Sequence, residues 1–471
     1  MLCKIVTVFS CAIIQALLST VFAILLALPL AHFFYKFDFF GRRFFIALAS
    51  MLCIMPTKLV ALCIKLFFGA SGFVGIILAH LMLNVPFAFY IMHAAYQKID
   101  MTLLWLAQDC GACPWQYYKD ILLPVLRPTL VSLFLLLFLL HFASFSIPLV
   151  LGNAFYHHTP EIIMYNMYAK QNGILVFICW ALRLLIILPV FLMHNRFSLQ
   201  KTKISSVPVP VPRAKFTLFA PYTNFWWLVY LLFIAILILC PLIALLVRAF
   251  DANVLNFFAS LFSFMKDPLL GVCVLRVIAN SVTLALVSGI GSVLLAFLLS
   301  VLEFKAKKRT TKNSISFITI LAFVIGSVGV GILFTFFSHG KLISSFFIAV
   351  LCHIILNYAF AYRIIRAQMV LYHPDLHKTA QTFGVTCKKA LVTVAFPFVL
   401  PALIKAFCVS FGLSLTEVGA GTVLQGAIGL TMPMAIRIYR KCGNQEAVIG
   451  MSLVLLGLVL IATYLFSRKK Y

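Results

Sequence analysis

The sequence predicts an all-α membrane protein, a helical bundle of about eleven transmembrane helices in two parallel repeats. Hydrophobic residues make up 64% of the 471 residues and charged residues only 10%, which excludes an ordinary soluble protein. Apolar runs long enough to cross a hydrocarbon core of ~30 Å recur along the chain. A polar stretch that interrupts these runs occurs twice, and this duplication predicts two related halves.

Residues 1–194 form the first predicted repeat, with about five transmembrane helices. A polar stretch over residues 97–125, here called the first island, separates the third helix from the fourth. The helices are expected at about residues 6–34, 45–68, 73–96, 126–149 and 174–194.

Residues 225–471 form the second predicted repeat, with about six transmembrane helices. A linker over residues 195–224 joins the repeats, and its alternating valines and prolines at 207–212 exclude a helix there. The helix at 225–247 has no counterpart in the first repeat. The six helices are expected at about residues 225–247, 277–302, 315–337, 342–365, 400–423 and 447–466.

The two islands share one internal spacing. In the first island, Ala107 and Gly111 are followed by Ile121, Leu123 and Pro124. The second island spans residues 370–398. Its matching residues, each 273 positions later, are Ala380, Gly384, Val394 and Pro397.

Each island is expected to form a short helix, a turn and a second short helix before the membrane. Asp100 and Asp375 suit the positive N-terminal end of a helix. The glycine provides the turn, and the proline is expected to close the second short helix. Two copies at a fixed spacing favour a functional motif over an ordinary polar loop.

Lysine and arginine fall in alternate loops, which is a topology signal. If both islands are cytoplasmic, about 25 basic residues lie inside and about 9 outside. The positive-inside rule therefore predicts cytoplasmic islands and a cytoplasmic C-terminus. A nucleic-acid partner is not expected despite the formal net charge of +26, because the basic residues form no patch with interleaved aromatic residues.

The islands resemble the coupling motif of the permease subunits of ATP-binding-cassette importers, which reads E-A-A-x3-G-x9-I-x-L-P. Trp105 and Lys378 stand at the acidic position, and Phe396 replaces the leucine. The resemblance covers nearly the whole chain in both halves. It implies a multi-pass protein of the bacterial inner membrane, with each island docked in a groove of an ATPase subunit.

The resemblance also implies the partners. Two copies of an ATPase, one per island, are expected on the inner side, and a periplasmic binding protein is expected at outer loops near residues 150–173 and 424–446. This chain has no G-x4-GK-[ST] motif, so it is not the ATPase, and ATP and magnesium belong to the partner. No enzymatic activity, cofactor or metal site is expected in the chain itself.

Three stretches are similar to fused thiamine permeases within this family. They are residues 78–86, 142–146 and 413–419. The resemblance therefore implies a pathway for thiamine or its phosphates. Fused ferric-iron permeases share the architecture and are the alternative, and an ion-driven secondary transporter is a more remote one.

Glu417 is the most informative pathway candidate, because a carboxylate inside a predicted transmembrane helix is costly and rarely without a role. Its counterpart in the first repeat, 273 residues earlier, is Ser144, so the charge is asymmetric. An asymmetric acid suits a cationic substrate such as thiamine. Pairing with an intramembrane base or a neighbouring helix is the alternative. Ser146 and Ser414 are further pathway candidates.

Two pairs of polar residues four apart share a helix face, His80 with Asn84 and His353 with Asn357. We include them in the pathway, although hydrogen bonds between helices are favoured over metal binding. Lys58 is the last pathway candidate; it pairs with Glu417 or repels a cation.

In the outer loop, His157, His158 and Glu161 are interpreted as a solvated docking surface rather than a metal site. Arg183, in the fifth helix, is expected to be structural.

Overall fold

The computed structural model consists almost entirely of helices over the residues that it describes. Contacts between helices divide the chain into two compact units. Unit 1 comprises Met1–Cys53, Thr57–Ile163 and Phe177–Leu246, and unit 2 comprises Ile54–Pro56, Met164–Val176 and Val247–Tyr471. The described residues are 2–52, 55–97, 99, 106–107, 109–154, 157–198, 214–215, 223–251, 257–258, 266–306, 308, 311, 314–315, 318–319, 325–338, 345–371, 382–383, 386, 389, 393, 396–424 and 429–467.

The first ten helices run from the N-terminus to residue 251. A π-helical turn, Tyr117–Leu122, joins α5 to α6, and the short strand β1 (Phe37–Asp38) pairs in parallel with β2 (Ala214–Lys215). The helices are α1 Leu2–Lys36, α2 Arg42–Leu52, α3 Thr57–Phe68, α4 Gly72–Tyr96, α5 Pro114–Gln116, α6 Leu123–Phe142, α7 Ser146–Leu151, α8 Pro160–Ala169, α9 Gly173–Ser198 and α10 Thr223–Asp251.

Seven further helices follow, all within unit 2. They are α11 Val274–Lys305, α12 Ser327–Ser338, α13 Ser345–Leu371, α14 Phe396–Thr416, α15 Gly419–Val423, α16 Met432–Lys441 and α17 Gln445–Ser467. The predicted domain boundaries, 1–194, 195–224 and 225–471, follow the sequence repeat and stay a prediction.

Each unit has a core of three long helices in the same chain order. In unit 1, α1 packs against α4 and α6, and in unit 2, α11 packs against α13 and α14. Small residues on the first helix of each core are fully buried, which allows the helix backbones to approach closely. They include Ala16 and Ala27 in α1, and Ala285 and Ala296 in α11.

Nine helices among the described residues are long and apolar enough to span a membrane. They correspond to all of the predicted spans except the second and the eighth. Their outer faces expose apolar side chains, such as Leu232 and Leu294, that suit contact with lipid. The predicted all-helical membrane fold is confirmed, and the count of eleven is not.

The second predicted span is wrong as a continuous helix. Helix α2 ends at Leu52 and α3 begins at Thr57. Pro56 lies between them; it has no N–H to donate, and its ring disfavours helical backbone at the residue before it. Of the eighth predicted span, α12 covers the C-terminal part, while residues 316–317 and 320–324 lie outside the described residues.

The fourth and tenth predicted spans are also shorter than expected, and both break at the same place. Helix α6 ends at Phe142, and α14 ends at Thr416. A short helix resumes after each break, at Ser146 and at Gly419. Ser144 lies in the first break and Glu417 in the second, so the repeat extends to the backbone geometry.

Glu161 and Arg183 form an ion pair in unit 1. The Arg183 guanidinium of α9 donates to the Glu161 carboxylate of α8, and both side chains are fully buried. The structural role expected for Arg183 agrees with this contact. The interpretation of Glu161 as part of a solvated docking surface is wrong, because the carboxylate is closed off from solvent and neutralised by the guanidinium.

We expect Glu161→Gln alone to lower the stability of the protein by roughly 3–5 kcal/mol, because it leaves a guanidinium buried without its counterion. Combining Glu161→Gln with Arg183→Met should cost less than the sum of the two single changes. Thermal unfolding of the detergent-purified variants measures this as a double-mutant cycle. Strictly additive losses would contradict the ion pair.

Candidate functional site

A cluster of polar side chains joins the three core helices of unit 1. The hydroxyl of Ser19 lies 3.2 Å from His80 Nδ1, and Thr20 Oγ1 lies 2.9 Å from His141 Nδ1. Asn84 Nδ2 donates to His141 Nε2 at 2.9 Å. The imidazole rings of His80 and His141 stack with centroids 4.5 Å apart. Helices α1, α4 and α6 are therefore connected through polar contacts as well as apolar packing.

Unit 2 has an equivalent polar cluster. His353 Nδ1 lies 2.6 Å from Ser414 Oγ, which lies 2.8 Å from Ser288 Oγ. The Ser288 hydroxyl donates to the carbonyl of Leu284 at 2.7 Å. These contacts form a chain in which His353 Nδ1 carries the proton, so its Nε2 is left as an acceptor. Asn357 Nδ2 donates to the Ser410 carbonyl at 3.4 Å.

The two clusters occupy matching positions of the repeat. His80 and Asn84 correspond to His353 and Asn357, and all four make hydrogen bonds between helices or along one helix. Sequence reasoning missed His141, which corresponds to Ser414 at the same spacing of 273 residues. Applying that spacing to every polar residue in the spans would have found it. A place for these residues on the pathway stays a prediction.

A small cavity in unit 2 brings several predicted pathway residues together. Among the described residues its polar lining consists of Ser281, His353, Ser414, Glu417 and Thr431. The cavity is narrow, about 10 Å³, which is the space of a single water molecule.

Glu417 lies in the break between α14 and α15, and not inside a continuous helix as the sequence predicted. Its Oε1 accepts hydrogen bonds from the backbone N–H of Gly419 at 2.7 Å and of Ala420 at 3.3 Å. These donors reduce the cost of holding a half-buried carboxylate among the spans. A Cβ at Gly419 would lie 2.0 Å from Ser327 Oγ, so only glycine fits beside α12.

The first repeat has the same break without an acid. The carbonyl of Ser144 accepts a hydrogen bond from Thr159 Oγ1 at 2.6 Å, and Ser146 is buried at the start of α7. Lys58 is buried in the first turn of α3, in unit 1. The pathway roles predicted for these three residues stay predictions.

Gly111 provides the turn that the first island was expected to contain. Its φ of +75° is left-handed, and the N–H of Ala112 donates to the carbonyl of the buried Ala107 at 2.9 Å. This bond spans five residues and is typical of a glycine-terminated helix end. The alanine and the glycine of the motif are therefore two parts of one turn.

Pro124 does not close the second short helix, which corrects the sequence prediction. The helix continues from the π turn that contains Ile121 through Leu123 and Pro124 into α6. A π turn bonds residue i to i+5, so it relieves the clash that a proline ring makes with the carbonyl four residues earlier.

The second island lies mostly outside the described residues. Ala380, Gly384 and Val394 belong to the part that is not described, and Pro397 is the second residue of α14. Both islands expose large apolar side chains, Leu106 and Trp115 in the first and Phe383 in the second. Outside the membrane spans, such side chains mark a surface that another protein covers.

The outer-loop histidines do not form a metal site with Glu161. No group of three or more metal-ligating side chains occurs among the described residues. His157 is buried, and burial lowers the pKa of both His157 and His158 below the ordinary value. Both imidazoles are therefore neutral at pH 7.

Relatives with known roles are similar to both halves of this chain. The thiamine transport system permease protein ThiP of Haemophilus influenzae is 24% identical over 94% of this chain and 85% of its own length. ThiP of Escherichia coli is 28% identical over 32% of each chain. The ferric transport system permease protein FbpB of Actinobacillus pleuropneumoniae is 28% identical over 32% of this chain and 24% of its own.

One family model accounts for both repeats. The model of binding-protein-dependent transport system inner membrane components matches residues 12–203 and again residues 292–468. This confirms the predicted two-repeat architecture, an integral inner-membrane location and a role as a transport component that works with an ATPase and a binding protein. The chain belongs to the family of binding-protein-dependent transport system inner membrane components.

Proposed function

We propose that this chain forms the translocation pathway for thiamine or its phosphates, delivered by a periplasmic binding protein and driven by ATP hydrolysis on a partner. The observation that carries the proposal is the pairing of Glu417 with His353 at the cavity of unit 2. The match to a thiamine permease over 94% of this chain supports it.

The chemistry of the cavity favours a substrate that is a cation and a hydrogen-bond donor. Glu417 contributes a carboxylate, and the proton on His353 Nδ1 leaves Nε2 as an acceptor. Thiamine carries a positively charged thiazolium ring and an amino group, which match a carboxylate and an acceptor nitrogen. Such a lining disfavours a bare anion like the sulfate in the name of one relative.

Ferric iron is the alternative substrate, since ferric permeases are among the relatives. A ferric ion prefers several oxygen ligands held together, whereas the described lining of this cavity has one carboxylate. An ion-coupled secondary transporter is a more remote alternative, which the family membership disfavours.

We also propose that the islands are cytoplasmic and that each docks one ATPase copy. The left-handed turn at Gly111 and the exposed side chains of Leu106 and Trp115 support a docking surface at the first island. The fixed spacing extends the assignment to the second island. The outer loops near residues 150–173 and 424–446 then face the binding protein.

Gly111→Asp combined with Gly384→Asp should reduce substrate uptake at least about tenfold, while the protein remains in the membrane. At Gly111 a side chain costs roughly 1–2 kcal/mol in the left-handed conformation and adds charge to the docking surface. Uptake of labelled thiamine, normalised to the membrane level of the chain, measures the effect.

Gly271→Asp is the matched control, because Gly271 also has a left-handed φ of +69° in open surroundings but lies outside both islands. It should transport normally. Normal uptake by the double island variant at normal membrane level would refute the coupling assignment.

Glu417→Gln should lower thiamine uptake by about tenfold, equivalent to roughly 1.4 kcal/mol. The amide oxygen keeps the acceptor for Gly419 and Ala420, so the change removes the charge and preserves the helix break. Uptake of an uncharged analogue, with a neutral ring in place of the thiazolium, should fall less. Both are measured in cells that express the chain with its partners.

Asp38→Asn removes an exposed carboxylate far from the cavity lining and should change neither uptake. Equal losses for thiamine and the neutral analogue would remove Glu417 from the pathway. Uptake of ferric iron with no uptake of thiamine would replace the substrate assignment.

A further inference from the structure

The π turn of the first island lies against a group of aromatic side chains in unit 1. The Tyr118 hydroxyl forms a hydrogen bond with His32 Nε2 of α1, and the two rings meet edge to face with centroids 4.9 Å apart. His32 also contacts Tyr96 of α4, with centroids 5.9 Å apart. The island is thus attached to the first core helix by a specific polar contact.

Helix α1 connects this contact to the first polar cluster. It runs without interruption from Leu2 to Lys36, and it carries Ser19 and Thr20 into the cluster with His80 and His141. His32 lies about 20 Å further along the axis, at 1.5 Å per residue. A displacement of Tyr118 is therefore transmitted along one rigid element to the centre of unit 1.

The second repeat has no such residues in its sequence. Val301 stands at the position of His32, and Leu391 at the position of Tyr118. Unit 2 instead holds its helices together with Glu303 of α11, which accepts hydrogen bonds from Tyr362 and Arg366 of α13. That contact joins two core helices and does not involve an island.

We propose that the His32–Tyr118 contact is a positioning contact that passes movement of the first island to α1, which makes the first repeat the more tightly coupled of the two. The proposal rests on the proposed function, in which the islands receive the movement of the ATPase. Without this contact the island still docks, but its movement reaches α1 only through apolar packing.

The test uses proteoliposomes that contain the chain, the ATPase that co-purifies with it and the binding protein. The measured quantity is substrate imported per ATP hydrolysed, with labelled thiamine and, in parallel, with radioactive ferric iron. Tyr118→Phe should lower this ratio by about fivefold, as expected from the loss of one hydrogen bond. Tyr230→Phe is the matched control, because its hydroxyl also donates to α1, at Leu26, but from α10.

The double island variant, Gly111→Asp with Gly384→Asp, separates the two levels of the argument. If it is uncoupled while Tyr118→Phe keeps the wild-type ratio, the positioning role is wrong and the proposed function stands. If it couples normally, the proposed function fails and this inference fails with it.

Variants of His32 keep the proposal testable should Tyr118→Phe not insert. His32→Gln retains an acceptor for the Tyr118 hydroxyl and should keep most of the ratio, whereas His32→Leu should lose it. Equal ratios for the glutamine and leucine variants would overturn the proposal.

Discussion

The structure depends on how backbone polar groups are satisfied where core helices break among the membrane spans. Helices α6 and α14 both stop short, and the freed groups cannot rely on water. In the second repeat the Glu417 carboxylate accepts from two backbone N–H groups, and in the first repeat Thr159 donates to the Ser144 carbonyl. The cavity of unit 2 exists because the chain is interrupted here with its hydrogen bonds still made.

The two repeats keep the same contact positions but fill them with different chemistry. In unit 1, Phe34 of α1 packs on Phe89 of α4 with ring centroids 4.8 Å apart. The matching positions in unit 2 are Glu303 and Tyr362, which make a hydrogen bond. Glu417 opposite Ser144, and Ser414 opposite His141, follow the same pattern. Duplication therefore set the architecture, and divergence gave each half a separate role.

Much of the fold was predictable from sequence because apolar length and a fixed spacing are strong signals. The breaks at Pro56, Ser144 and Glu417 were not, since their flanks are apolar enough to resemble one continuous span. The turn at Gly111 was predicted correctly, but the π turn before Pro124 was not, because it depends on backbone geometry that no residue pattern specifies. The burial of Glu161 also escaped prediction, since its partner Arg183 is 22 residues away.

The central claim is that a cationic substrate crosses this chain under the control of an ATPase docked at the islands. ATP hydrolysis by the reconstituted complex, stimulated by binding protein loaded in turn with thiamine or ferric iron, tests it most directly. The account predicts stimulation by the thiamine-loaded protein alone, and loss of that stimulation in the Glu417→Gln complex. Stimulation by the iron-loaded protein alone, or by neither, would contradict it.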